Sequence, residues 1–229
     1  MRRLTFFIIF ILFIGCVSPV TNEATTMPVS SSNTIKLPAP VNDGNMSVEK
    51  ALAGRRSVRE FKDAPLDIAE VSQLLWAAQG ITDPDGFRTA PSAGALYPLE
   101  VYVAAGNVKG LTPGIYKYKP VDHELTPVKA GDARAALSDA ALGQSAIKDG
   151  AVVIIIAGVF ERTTVKYPAG EKYVHMEAGH SAQNVYLQAH ALGLGTVAVG
   201  AFYDDAVKKA AGMSENERPL YLMPVGRPA

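Results

Sequence analysis

Three arginines and a serine fall within five positions of the chain, Arg55-Arg56-Ser57-Val58-Arg59, in a sequence whose charges otherwise cancel. A guanidinium fork matches phosphate bidentately, and a serine hydroxyl adds a donor to the same oxygens. The cluster equally suits the solvated end of a helix starting near Ser47, where cations favour the C-terminal dipole. A second group, "RTAPSAGALYPLEVYV", places Ser92, Ala93, Gly94, Ala95 and Leu96 just before a strand. Small residues there let main-chain amides approach a flat ring closely, although a plain turn has the same composition. A third, "GLGTVAVGAF", surrounds a strand with Gly193, Gly195 and Gly200 and leaves main-chain N–H groups accessible. Helix capping alone accounts for Gly193.

Other chemistries lack their residues. The sequence has no HExxH, CxxC, GxSxG, Walker loop or GxGxxG. His175, His180 and His190 are spaced 5 and 10 apart and leave a helix in different directions, so no metal site is expected. With 22 Lys+Arg against 22 Asp+Glu, the chain has no excess positive field to hold nucleic acid.

The elements that must position these clusters begin after a different kind of segment. Met1-Arg2-Arg3 precedes the apolar run "LTFFIIFILFIG", too short to span a bilayer of roughly 30 Å and typical of a secretory signal. The run ends at Cys16, the only cysteine, in a setting that resembles the lipobox of prokaryotic lipoproteins. Residues 1–16 therefore read as a lipoprotein signal, with lipidation at Cys16 and a lipid anchor on the extracytoplasmic side of the cell membrane. Residues 17–45, rich in Ser, Thr, Pro and Asn, read as a flexible tether. Residues 46–229 form one folded domain, for which a 48% apolar composition supplies a sizeable core.

Within that domain "PLDIAEVSQLLWAAQG" predicts a helix capped by Asp67 and Glu70 and ended by Gly80, with Val71, Leu74, Leu75 and Ala78 as its apolar stripe. "LEVYVAA" is a strand, "GIYKYKP" and "ELTPVKA" a hairpin, and Asp132 to Leu142 a short helix. "AVVIIIAGVF" is a strand covered on both faces in the middle of the sheet. An irregular "ERTTVKYPAGEKY" precedes a long helix, the strand "TVAVGAF", a helix from Asp204 to Gly212 and a last strand "LYLMPVG". Helices and strands are mixed throughout, which gives an α+β or α/β class with a sheet between helical layers.

Taken in series, "RRSVREF", "PSAGALYPLEVYV", "EAGHSAQNVYLQAHALGLG" and "VGAF" resemble the FMN-dependent nitroreductase family, and most closely its azoline dehydrogenase subgroup. The resemblance covers roughly Ser47 to Pro228 and implies an α+β fold with a central mixed or antiparallel sheet flanked by helices, and a homodimer with FMN in the interface. Arg55, Arg56, Ser57 and Arg59 would hold the phosphate and the pyrimidine edge of the ring, where an arginine favours the charge that develops on reduction. Gly200 or Ala201 would direct an N–H at the ring, and residues 92–96 would line it from the other subunit. Arg227 is either a further phosphate contact or a surface residue. Lys166 and Tyr167 resemble the lysine–tyrosine pair with which azoline dehydrogenases remove a proton; a solvated loop pair is the alternative. The activity implied is two-electron transfer between an acceptor and either NAD(P)H or an organic small-molecule donor. The competing class is a non-catalytic lipoprotein that binds a flat aromatic ligand or a partner.

Overall fold

A computed structural model describes residues 34–229; the signal segment, Cys16 and most of the expected tether lie outside them. In chain order the elements are β1 (Ile35–Lys36), α1 (Val48–Gly54), β2 (Leu66–Asp67), α2 (Ile68–Gln79), β3 (Leu99–Ala105), β4 (Val108–Lys109), β5 (Gly114–Lys119) and β6 (Glu124–Ala130). There follow α3 (Arg134–Ala140), α4 (Ser145–Asp149), β7 (Val152–Gly158), α5 (Glu161–Thr164), α6 (Glu171–Ala191), β8 (Gly195–Thr196), α7 (Asp204–Ala211) and β9 (Arg218–Gly226).

Seven strands form one sheet in the order β1-β6-β5-β3-β7-β9-β8, every neighbouring pair antiparallel. β2 and β4 make a small parallel pair beside it. The apolar run of β7 lies between β3 and β9 and is buried along its whole length. Successive strand residues point to opposite faces, so Ile154 and Ile156 join α2 and α6 in one core while Val153 and Ile155 join α3, α4 and α7 in another. Each fully buried aliphatic side chain contributes roughly 1.5–3 kcal/mol of transfer free energy, and the two cores fix the helical layers to the sheet.

Local signals placed α2 as expected. The Asp67 N–H donates to Glu70 Oε2 at 2.9 Å, and Val71, Leu74, Leu75 and Ala78 are fully buried. α6 begins at Glu171, earlier than its apolar pattern, and the segment expected to be irregular contains α5. The expected strand "TVAVGAF" is reduced to β8 and one bridge from Val199 to Leu222.

The tether boundary needs correction. Ile35 pairs with Leu125, Leu37 is buried, and Val41 exchanges hydrogen bonds with the Gln73 side chain at 2.8 and 3.0 Å. Ser72 Oγ donates to Pro38 O at 2.6 Å. The folded domain therefore reaches back at least to Ile35, because alternate residues of a short polar-looking stretch meet apolar and amide partners contributed by β6 and α2.

Candidate functional site

Arg55 lies at the end of α1, its N–H bonded to Ala51 O at 3.0 Å. Beyond it the chain extends, and Ser57 bridges Thr196 of β8 while the Val58 N–H donates to Thr196 O at 2.9 Å. Val58 also fills the space over Gly195, where a β-carbon would lie 2.6 Å from Val58 Cγ1. The first and third sequence clusters are thereby joined edge to edge.

Tyr186 of α6 locks this junction. Its hydroxyl lies 3.0 Å from Ser57 Oγ and accepts the Ala198 N–H at 2.8 Å, and its ring lies 5.1 Å from the Arg55 guanidinium. Arg56 turns Nη1 back onto Ala53 O and Arg55 O, so it also caps α1. Arg59 is exposed. Among the described residues no carboxylate pairs with Arg55, Arg56 or Arg59. A cleft of about 470 Å³, lined in part by Arg56, Val58, Tyr186, His190 and Thr196, opens beside them. That volume falls within the range of small-molecule sites. Thr196 Oγ1 is buried there with no hydrogen-bond partner among the described residues.

The loop at residues 92–97 is a separate construction. Gly94 has φ of 64°, but Ala95 and Tyr97 also take positive φ, 52° and 45°. Such residues cost of order 1–3 kcal/mol each unless their surroundings hold them. Here Ser92 Oγ accepts the Tyr97 N–H at 2.9 Å, Arg88 stacks 4.4 Å from the Tyr97 ring, and Arg162 donates to Tyr97 O at 3.1 Å. Glu177 of α6 accepts the Ala93 N–H at 2.9 Å. Burial pushes the Glu177 carboxyl above the usual carboxylate range, against the hydrogen bonds from Ala93 and Ser92.

Lys166 and Tyr167, distant in sequence, sit over this loop. A β-carbon at Gly94 would lie 2.8 Å from Tyr167 Oη and 3.1 Å from Lys166 Nζ. The pair therefore projects its polar ends at the exposed glycine and not away from the protein.

Among the described residues no hydrogen bond or salt bridge joins the loop to the arginine segment. Both are fastened to α6, the loop through Glu177 and the arginine segment through Tyr186. Nine residues at 3.6 per turn amount to about two and a half turns, roughly 13 Å of rise with the two side chains leaving on opposite sides. Gly179, between them, has nothing within 4 Å of its ideal β-carbon position among the described residues, so that position is open to an added side chain.

Gly200 and Ala201 are exposed, and among the described residues neither N–H donates to a protein acceptor. A β-carbon at Gly200 would touch only Tyr221, at 3.8 Å, so protein packing leaves open space there. Arg227 departs from expectation. Its two terminal nitrogens pair with the two oxygens of Glu70, each at 2.9 Å, which ties the chain end to the N-terminus of α2. A phosphate contact from Arg227 would require that pair to open.

Two residues went unrecognised in the sequence, Glu177 and Tyr186. Glu177 carries a visible signal, an acidic residue on the same helix side as Val174, Ala178 and Ser181, which are all buried with it. Tyr186 carries none, because its partner Ser57 is 129 positions away. Among the described residues there is no group of three metal-ligating side chains.

The sequence profile of the nitroreductase family matches residues 52–227. A protein of Methanocaldococcus jannaschii that bears the nitroreductase name is 50% identical over 183 residues, covering 80% of this chain and 91% of its own length. The microcin B17-processing protein McbC of Escherichia coli is 28% identical over 157 residues; these cover 66% of this chain but only 58% of that relative. The crystal structure of a nitroreductase-family protein from Ralstonia eutropha superposes with a TM-score of 0.75 at 30% identity, covering 89% of this chain and 92% of that one. With the family profile matched along most of its length and half the aligned positions shared with one relative, the chain belongs to the nitroreductase family.

Proposed function

We propose that the chain is an FMN-dependent oxidoreductase of the azoline-dehydrogenase type. In this reading it works as a homodimer, held at the extracytoplasmic face of the cell membrane through Cys16. The observation that carries the reading is the placement of Lys166 Nζ and Tyr167 Oη over Gly94, in the loop that would line the ring. Three arginines with no carboxylate partner and a Thr196 hydroxyl with no hydrogen-bond partner among the described residues, together with the open approach at Gly200, suit a phosphorylated, flat guest. FMN, when bound, supplies a carrier for two electrons.

Arg55, Ser57 and Arg59 anchor its phosphate or ring edge, with Arg56 contributing the donors left over from capping α1. The free N–H groups of Gly200 and Ala201 orient the ring. Lys166 and Tyr167 take the proton that is released when a C–H bond of an azoline is broken to form the aromatic heterocycle. The wide spacing of the two half-sites on α6 supports assembly of each site from the arginine segment of one copy and the loop of the other. The likeness to a microcin B17-processing protein favours an organic donor carried on a peptide over NAD(P)H. No helix among the described residues is long and apolar enough to cross a membrane, and the anchor proposed at Cys16 lies outside them.

Purified full-length protein should be yellow, and anaerobic addition of a thiazoline-containing peptide should bleach it. Bleaching by NAD(P)H alone would move the assignment to nitroreductase chemistry. A colourless dimer that takes up no FMN would overturn the enzyme reading in favour of a binding lipoprotein.

A further inference from the structure

We infer that Tyr186 is a positioning residue whose hydroxyl sets the direction of the Ser57 proton toward the bound cofactor; the inference rests on the FMN reading above. The phenol oxygen accepts the Ala198 N–H at 2.8 Å, which occupies its acceptor side. Either oxygen of the Tyr186–Ser57 pair, 3.0 Å apart, could be the donor; with the Ala198 N–H already on the phenol oxygen, we assign the phenol's one proton to Ser57 Oγ. A phenol has a single O–H to give, and a serine hydroxyl that receives it keeps its own proton free. Ser57 is exposed and follows Arg55 by two positions, so that free proton joins the guanidinium in facing a guest. The ring of Tyr186, 5.1 Å from Arg55, holds the guanidinium on the same side.

The consequence is directional. Among the described residues Tyr186 is the one hydrogen-bond partner of Ser57 Oγ, so without the phenol the serine hydroxyl rotates freely. The Ala198 amide also loses its acceptor, two residues ahead of the free amides at Gly200 and Ala201. Tyr186 thus couples the anion-holding segment to the ring-orienting one, although it need touch no part of the cofactor.

The test is a double-mutant cycle on FMN affinity, read by fluorescence quenching with full-length protein. Tyr186→Phe keeps the ring and its stack on Arg55 and removes only the hydroxyl. It should weaken FMN binding about 10-fold, or about 1.4 kcal/mol, and Ser57→Ala should do the same. Together they should cost little more than either alone, since both remove one coupled donor. Losses that multiply to about 100-fold, or a Tyr186→Phe variant with wild-type affinity, would overturn the inference. If Tyr186→Phe does not fold, 2,3-difluorotyrosine at position 186 preserves the shape and ionises at lower pH. FMN affinity should then fall as that phenol loses the proton it gives Ser57, and a pH profile identical to wild type would count against the role. A wild-type protein that binds no FMN defeats the functional reading instead, before Tyr186 is in question.

Discussion

The Tyr167 hydroxyl sits 2.8 Å from the point where Gly94 would carry a β-carbon. A residue following α5 and a residue in the loop before β3 are therefore in direct contact range, and the lysine beside the tyrosine shares the position. The loop's shape and the proposed proton acceptor are set together.

Gly94→Ala puts a methyl group against both polar ends and strains a backbone already at φ of 64°. Thermal unfolding should show a loss of about 1–2 kcal/mol. Azoline oxidation should fall further than that stability loss accounts for, because Lys166 and Tyr167 are displaced. A variant with wild-type turnover would show that the contact has no bearing on the reaction.

Lys166→Ala and Tyr167→Phe should retain FMN with the wild-type dissociation constant and lose turnover by roughly 10²–10⁴-fold, the usual range for a positioned acid or base. Single-turnover bleaching by the azoline peptide separates this from a binding defect. Unchanged bleaching rates in both variants would remove the pair from the mechanism.

Glu177 predicts a pH dependence of stability. Its folded pKa is raised, chiefly by burial, so the folded state binds more protons than the unfolded chain between the ordinary value of 4.5 and the higher folded one. Stability from this group is present below that window and is lost as pH rises through it. Glu177→Gln should flatten the melting temperature across the window, whereas an unaltered slope would locate its origin elsewhere.

Arg227→Met breaks the bidentate pair with Glu70, whose two side chains are 32% and 17% exposed. Given that partial exposure, about 1 kcal/mol of stability should be lost, with less than a 2-fold change in FMN affinity. A large loss of FMN affinity would return Arg227 to the phosphate site.

What the sequence made legible was local. Asp67 and Glu70 announce α2, the β-branched run of β7 announces a strand buried on both faces, and Ser47 announces α1. The boundary of the folded domain was not legible, because Ile35 and Leu37 acquire meaning only against β6, whose Leu125 and Glu124 are remote in the chain. The clusters at Arg55–Arg59, Ser92–Leu96 and Gly200–Ala201 were legible as types of residue. Their division between opposite sides of α6 was not, since Glu177 and Tyr186 make that division and neither belongs to a cluster. Arg227 read as either a phosphate contact or a surface residue, and only the folded chain brings Glu70 to it.

The most direct measurement compares FMN with riboflavin, which lacks the phosphate, by titration into full-length wild type and Arg55→Ala. The account predicts that wild type binds FMN far more tightly than riboflavin and that the gap narrows by about 10-fold or more in Arg55→Ala. Equal affinities for the two flavins in wild type, or a gap untouched by the substitution, would contradict it.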